Sequence, residues 1–177
     1  FMKISQALDI GTQVLIKNNI NFPSLDSEIL MSEAIKKDKK FIILNSNKRL
    51  EEESFQYFKN LIKQRSTGKP IAYLTGNKSF WNYDFKTSPD VLIPRPDTEL
   101  VIEEVLKIVK NKRKLKILDI GIGSGCILLS ILKEKKDFYG VGIDISKKCL
   151  DISRINALRL NLNNRVKFFK SDVDNFE

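Results

Sequence analysis

The segment Leu118-Asp119-Ile120-Gly121-Ile122-Gly123-Ser124-Gly125 constrains this chain more than any other. It follows an apolar run, Leu115 to Ile120, with the texture of a strand, and it opens a helical run from Ile127 to Leu132. Glycines at alternate positions let the backbone turn sharply and come close to a ligand, because no Cβ stands in the way. The alternation then continues. Phe138 to Ile145 reads as a second strand, Lys148 to Leu160 as a second helix, and Val166 to Phe169 as a third short strand. This β-α-β-α-β order predicts an α/β unit with a parallel sheet and helices on both faces. In such folds ligands bind at the carboxyl ends of the strands.

The spacing narrows the ligand. A dinucleotide fingerprint is G-x-G-x-x-G. Here the glycines run G-x-G-x-G, and Cys126 holds the last fingerprint position. No G-K-[ST] follows, so the phosphate loop of nucleotide hydrolases is excluded. Asp119 closes the strand just before the loop, where a carboxylate repels a pyrophosphate but attracts a cationic amino-acid group. S-adenosylmethionine carries an α-ammonium and a sulfonium, and fits this loop better than NAD or ATP. Asp144 ends the second strand, 19 residues after Gly125, where a carboxylate can accept both hydroxyls of an adenosine ribose; a cap for the segment at Ser146 is the bland alternative. Asp172 follows the third strand, placed to reach an adenine amino group, with Val173 against the base. Three acids closing three successive strands are hard to explain as solvated strand ends.

The first half has a different texture. Ile4, Leu8, Gly11 and Leu15 fall at helical spacing, and Asn18-Asn19 ends that segment. Pro23 opens a second helix with Asp26 and Glu28 at its positive end and an apolar face of Leu25, Ile29, Leu30 and Ala34. A third begins near Leu50, with acids first, Lys63 and Arg65 last, Gly68 beyond, and a stripe of Phe55, Phe58, Leu61 and Ile62. Ile71 to Leu74 suits one turn, stopped by Gly76. Phe80, Trp81, Tyr83 and Phe85 alternate with polar residues as in a hairpin, where they read as packing rather than as a base-stacking platform. Pro89, Pro94 and Pro96 mark turns, and Asp97 is placed to cap a helix with Ile102, Val105, Leu106 and Val109 on its apolar face. The expected division is a helical domain over residues 1–75, a hairpin linker over 76–96 and a cofactor-binding domain over 97–177.

Composition excludes several chemistries. There is no histidine, which removes Ser-His-Asp and Cys-His catalysis and any His-ligated metal. Cys126 and Cys149 form no disulfide framework or zinc site; they read as reduced, helix-packing thiols of a cytoplasmic protein. No apolar run reaches the roughly 18–20 residues of a membrane span. Phe1, ahead of Met2, reads as an addition before a natural start. The net charge of +9 divides almost evenly, with 14 basic and 9 acidic residues over 1–88 and 17 and 13 over 89–177. So spread a charge suits acidic partners, including ribosomal or transfer RNA, or else is a lysine-rich solvated surface.

With these residues in place a family comes into view. Gln64-Arg65-Ser66-Thr67-Gly68-Lys69-Pro70-Ile71-Ala72-Tyr73-Leu74-Thr75-Gly76, then Phe80-Trp81, then Val91-Leu92-Ile93-Pro94-Arg95-Pro96-Asp97-Thr98-Glu99 together resemble the HemK family, the release-factor glutamine N5-methyltransferases. The resemblance covers nearly the whole chain. It implies an N-terminal helical domain that engages the release factor, a β-hairpin linker, and a Rossmann-like class I methyltransferase domain of which this chain holds the first three strands. It implies S-adenosylmethionine-dependent methylation of the glutamine in the Gly-Gly-Gln tripeptide of peptide-chain release factors. Matched to the family's motifs, Asp119, Ile120, Gly121, Ile122, Gly123, Gly125, Asp144, Asp172 and Val173 are cofactor contacts. Phe80, Pro94, Arg95, Pro96, Thr98 and Glu99 form an active-site wall.

The family's catalytic Asn-Pro-Pro-Tyr does not occur in this sequence, which ends Asp174-Asn175-Phe176-Glu177. The chain is therefore expected to be a fragment, inactive alone, and no catalytic residue is assigned within it. In the family's strand order Lys116 to Ile120 would lie at a sheet edge, which predicts self-association through that edge. Two rivals stand beside this reading: a nucleic-acid methyltransferase acting on tRNA, rRNA or DNA, and a non-catalytic partner-binding module.

Overall fold

The structure, a computed structural model, describes residues 2–176; the reading of Phe1 lies outside the described residues. Two compact units divide the chain, the first running to Thr75 and the second starting at Gly76.

The first unit is helical. Its helices are α1 (Ile4–Lys17), α2 (Pro23–Ile35), α3 (Lys39–Leu44), α4 (Glu52–Ser66) and α5 (Ile71–Thr75). Ile4, Leu15, Leu30, Met31, Phe58, Leu61 and Ile62 form its core. Gly11 is what lets α1 approach its neighbours, since a Cβ there would lie 2.7 Å from Phe58 Cζ and 2.8 Å from Ser27 Oγ. Helix α4 begins with Glu52 and Glu53, ends with Lys63 and Arg65, and is followed by Gly68 at φ +91°, in accord with its sequence signals. Helix α2 differs from expectation. Its buried face is Asp26, Ser27, Leu30, Met31 and Ala34, while Leu25 is exposed. The face is rotated because two polar residues find partners: Asp26 pairs with Arg65 at 2.7 Å, and Ser27 Oγ donates to Leu8 O at 3.1 Å.

The second unit opens with an antiparallel hairpin, β1 (Asn77–Phe80) and β2 (Tyr83–Lys86). A 3-10 turn, Pro96–Thr98, leads into α6 (Glu99–Ile108). Asp97 does not cap this helix. It lies exposed inside the turn, and no side-chain cap is made at Thr98. Pro96, fixed near the helical φ, starts the turn early and carries the chain past the capping position. Then follow β3 (Lys116–Ile120), α7 (Cys126–Glu134), β4 (Tyr139–Asp144), α8 (Lys147–Arg159) and β5 (Val166–Lys170), with β3, β4 and β5 parallel in that order. The core holds Phe80, Phe85, Ile102, Leu128, Leu129, Leu132, Phe138 and Leu150.

Helices on both faces were expected, and one face has them. The strand order never reverses, so two right-handed crossovers put α7 and α8 on the same side. Residues pointing the other way stay open: Leu118, Ile120, Tyr139 and Phe169 are 46%, 54%, 51% and 45% exposed. Among the described residues no helix is long and apolar enough to cross a membrane. Cys126 and Cys149 are free thiols, both buried.

Candidate functional site

At the end of β3 the chain turns at once. Gly121, Gly123 and Gly125 have φ of +73°, +57° and +81°, a region open to glycine and strained for most side chains. The loop is fastened to the next strand, because the amides of Gly121 and Ile122 both donate to Ile143 O, at 2.9 and 3.0 Å. Ile122 is buried over β4 where Gly142 leaves room; a Cβ on Gly142 would lie 2.1 Å from Ile122 Cδ1 and 3.3 Å from its Cβ. A Cβ on Gly121 would meet nothing within 4 Å, so the outer side of the loop faces open space.

Asp144 ties strand to loop. Its Oδ2 accepts from Gly123 N at 3.0 Å and its Oδ1 from Ser146 N at 2.8 Å. It is not the cap of α8. That cap is Ser146, whose Oγ accepts from Cys149 N. Each carboxylate oxygen of Asp144 keeps a second acceptor position. Asp119, half-buried between β3 and α7, is held differently. Burial pushes its carboxyl up to about 6, a hydrogen bond from the Leu128 backbone opposes the shift, and the Asp144 charge adds to it. Burial also raises the Cys126 thiol, and the Asp119 charge works in the same direction.

Asp119, the Ile120–Gly125 loop and Asp144 thus converge at the carboxyl ends of β3 and β4. Ser171 N donates to Asp144 O at 3.2 Å, so the chain leaves β5 alongside them. There Asp172 is exposed and accepts from Asn175 N and Asn175 Nδ2, and Val173 is exposed. The 91–99 segment enters through Val91, buried and 3.9 Å from a Cβ built on Gly123. Beyond it Pro94 is buried, Arg95 and Pro96 are exposed, and Thr98 and Glu99 are half-buried. Glu99 Oε1 accepts from Trp81 N at 2.7 Å, which holds Trp81 at φ +56° in the hairpin turn. Phe80 does not join the loop. Its ring is buried edge-on to Phe85, with centroids 6.2 Å apart.

The PrmC N-terminal domain model matches residues 6–76, and the Methyltransferase small domain model matches residues 97–176. The release factor glutamine methyltransferase of Clostridium acetobutylicum is 40% identical over 172 residues, which are 97% of this chain and 60% of that protein. The proteins of the same name from Buchnera aphidicola subsp. Acyrthosiphon pisum and subsp. Schizaphis graminum are 41% and 43% identical, over 88% and 85% of this chain and 55% and 54% of theirs. Over nearly its whole length the chain is similar to release factor glutamine methyltransferases. It spans 60% or less of the length of these three relatives. Among solved structures, the RNA methyltransferase from Salinibacter ruber in complex with S-adenosyl-L-homocysteine is 24% identical with a TM-score of 0.41, over 48% of this chain and 53% of that one. YjhP from E. coli is 28% identical with the same TM-score of 0.41, over 48% and 34%.

Two residues that hold the loop carry little signal in the sequence. Ser153 Oγ donates to Gly123 O at 2.7 Å. Asn156, fully buried on α8, donates to Ser124 O at 2.9 Å and exchanges two hydrogen bonds with the Lys86 backbone at 2.7 and 3.0 Å. It joins the glycine loop to the hairpin. The one available signal was a polar pair, three apart, on the helix that follows Asp144.

Proposed function

We propose that this chain forms the S-adenosylmethionine site of an enzyme that methylates the side-chain amide of a glutamine, the one in the Gly-Gly-Gln tripeptide of peptide-chain release factors. The observation that carries the reading is the convergence of Asp119, the glycine loop and Asp144. The fit to the cofactor rests on three features of that cluster. Open space in front of Gly121 admits the amino-acid end. Burial disfavours the charged form of Asp119, so an α-ammonium beside it relieves the cost of its charge. Asp144 has acceptor positions left for ribose hydroxyls.

When bound, the cofactor supplies an electrophilic methyl group. The chain's own residues bind and orient. The loop amides and Asp119 hold the amino-acid end, Asp144 the ribose, and Asp172 with Val173 the adenine. The Pro94–Glu99 segment walls the site, and Phe80, buried against Phe85, supports the hairpin behind it. We further assign residues 1–75 to release-factor recognition, 76–96 to the hairpin link and 97–177 to cofactor binding, in a cytoplasmic setting. Because no Asn-Pro-Pro-Tyr occurs in the 177 residues, this stretch alone binds cofactor without turning over. The open edge of β3 drives self-association at high concentration.

Calorimetric titration with S-adenosylhomocysteine tests the site. The chain is expected to bind, and Asp144→Ala to bind on the order of 10- to 100-fold more weakly. A folded chain that does not bind would overturn the assignment. Radiolabelled methyl transfer to a release factor tests the substrate, with the full-length Clostridium acetobutylicum relative beside this chain and a Gln→Ala release factor as control. Transfer by the relative to the intact tripeptide alone is expected. Sedimentation across a concentration series tests the edge, and a chain that stays monomeric contradicts it.

A further inference from the structure

The positive charge is even along the sequence but not in space. Residues 110–116 and 133–137 hold eight cations and two acids, a net +6 within twelve residues against +9 for the whole chain. The fold brings these two segments together at the amino ends of β3 and β4. Lys135 Nζ donates to Lys110 O at 3.2 Å, and Lys114 N donates to Asp137 Oδ2 at 3.0 Å. Arg165, at the entry to β5, joins them by donating to Lys135 O and Lys136 O at 2.9 and 3.0 Å.

Lys110, Lys112, Arg113, Lys114, Lys116 and Lys136 are exposed, and none is in an ion pair among the described residues. Both acids are occupied. Glu134 accepts from Trp81 Nε1 and Tyr83 Oη, and Asp137 from Lys114 N. Cations at the ends of α6 and α7 offset the helix dipoles, but that effect fades within the last turn. Helix α6 ends at Ile108, and Lys112, Arg113 and Lys114 lie beyond it.

We propose that this rim, at the opposite ends of the strands from the glycine loop, binds the phosphate backbone of a nucleic acid. The class follows from the run that carries most of the rim's charge. The run Lys110-Asn111-Lys112-Arg113-Lys114 has no apolar side chain, whereas a protein partner requires a desolvated aromatic or aliphatic anchor and a membrane surface requires apolar insertion. A polyphosphate is bound by charge and by hydrogen-bond donors alone. Beside the rim lies a hollow of about 360 Å³ lined by Lys116, Arg165, Lys167, Asn163 and the half-exposed Tyr139, which pairs cations with one aromatic face as single-strand binders do.

The test is fluorescence anisotropy of a labelled 20-nucleotide RNA of mixed sequence, titrated with the chain from 50 to 200 mM KCl. Three proteins are compared: wild type; K112A/R113A/K114A on the rim; and K17A/K40A/K63A, which removes three charges from the first unit. We expect the rim variant to bind at least about tenfold more weakly, with a salt slope shallower by about two, three contacts at roughly 0.7 each. The first-unit variant should stay within about twofold of wild type. Circular dichroism melts check folding, and K110A/K136A replaces the triple variant if it fails. S-adenosylhomocysteine binding by the rim variant is expected to be unchanged, which separates this proposal from the cofactor site. Equal losses in both variants, or no binding by wild type, would overturn it. So would polyglutamate or anionic phosphatidylserine vesicles competing as well as unlabelled RNA at equal charge, since the rim would then prefer an acidic protein or a membrane.

Discussion

Two carboxylates close neighbouring strands in different surroundings. Asp144 accepts two backbone amides, from Gly123 and Ser146. Asp119 is pushed from 3.8 up to about 6, chiefly by burial. An acid whose pKa rises on folding holds its proton more tightly in the folded chain. Its contribution to stability is present below the unfolded value and is lost as pH rises from about 4 through 6. Chemical denaturation across that window should show a downward slope with pH that Asp119→Asn removes. At the proposed site ligand binding should run the other way, because an α-ammonium beside Asp119 prefers the ionised carboxylate. Affinity for S-adenosylhomocysteine should be about tenfold lower at pH 5 than at pH 7.5, and the Asn variant should show no such dependence. Gly142→Ala tests packing under the loop, since the new methyl must displace Ile122. It should cost about 1–3 kcal/mol of stability and weaken the ligand several-fold, read by urea melts and calorimetry. The glycines and acids of the loop were legible in the sequence because their signal is local, in spacing and in position after a strand. Ser153 and Asn156 were not, because their acceptors lie 30 and 32 residues away.

The elements follow the same logic. Helices α1 and α4 and all three parallel strands were legible because apolar period and end signals agreed. Helix α3 was missed: it has six residues, too few for a period to register, and its one cue is Asp38, whose Oδ1 accepts from Phe41 N at 2.8 Å. Helix α2 was legible with part of its buried face, Leu30 and Ala34 but not Asp26 and Ser27, because periodicity ranks polar residues as outward and cannot foresee the Arg65 that permits Asp26 to be buried. Helix α8 carries the most consequence for function, since one helix grips both the loop and the hairpin. Asn156→Ala leaves the Lys86 amide and two carbonyls without their side-chain partner. It should destabilise the second unit by about 2–4 kcal/mol. Asn156→Asp sets a buried carboxylate against the Lys86 and Ser124 carbonyls, and a thermal melt at neutral pH should place it at or below alanine.

At the scale of the whole molecule, composition was legible and its distribution was not. Alternation along the chain forecast a parallel sheet, but which face stays open depends on strand order, and order is a property of pairing rather than of any one segment. Likewise a net charge that divides evenly along the sequence gathers where two distant turns meet. The chain's single tryptophan adds a further consequence. Trp81 is half-buried in the second unit, and its indole nitrogen donates to Glu134 at 2.9 Å. Its emission therefore reports on that unit, whereas the far-ultraviolet dichroic signal weighs in the helices of the first. Following one unfolding series with both probes tells whether the units melt as one. Coincident midpoints signify a single cooperative transition; separated ones give each unit its own stability, with no label introduced.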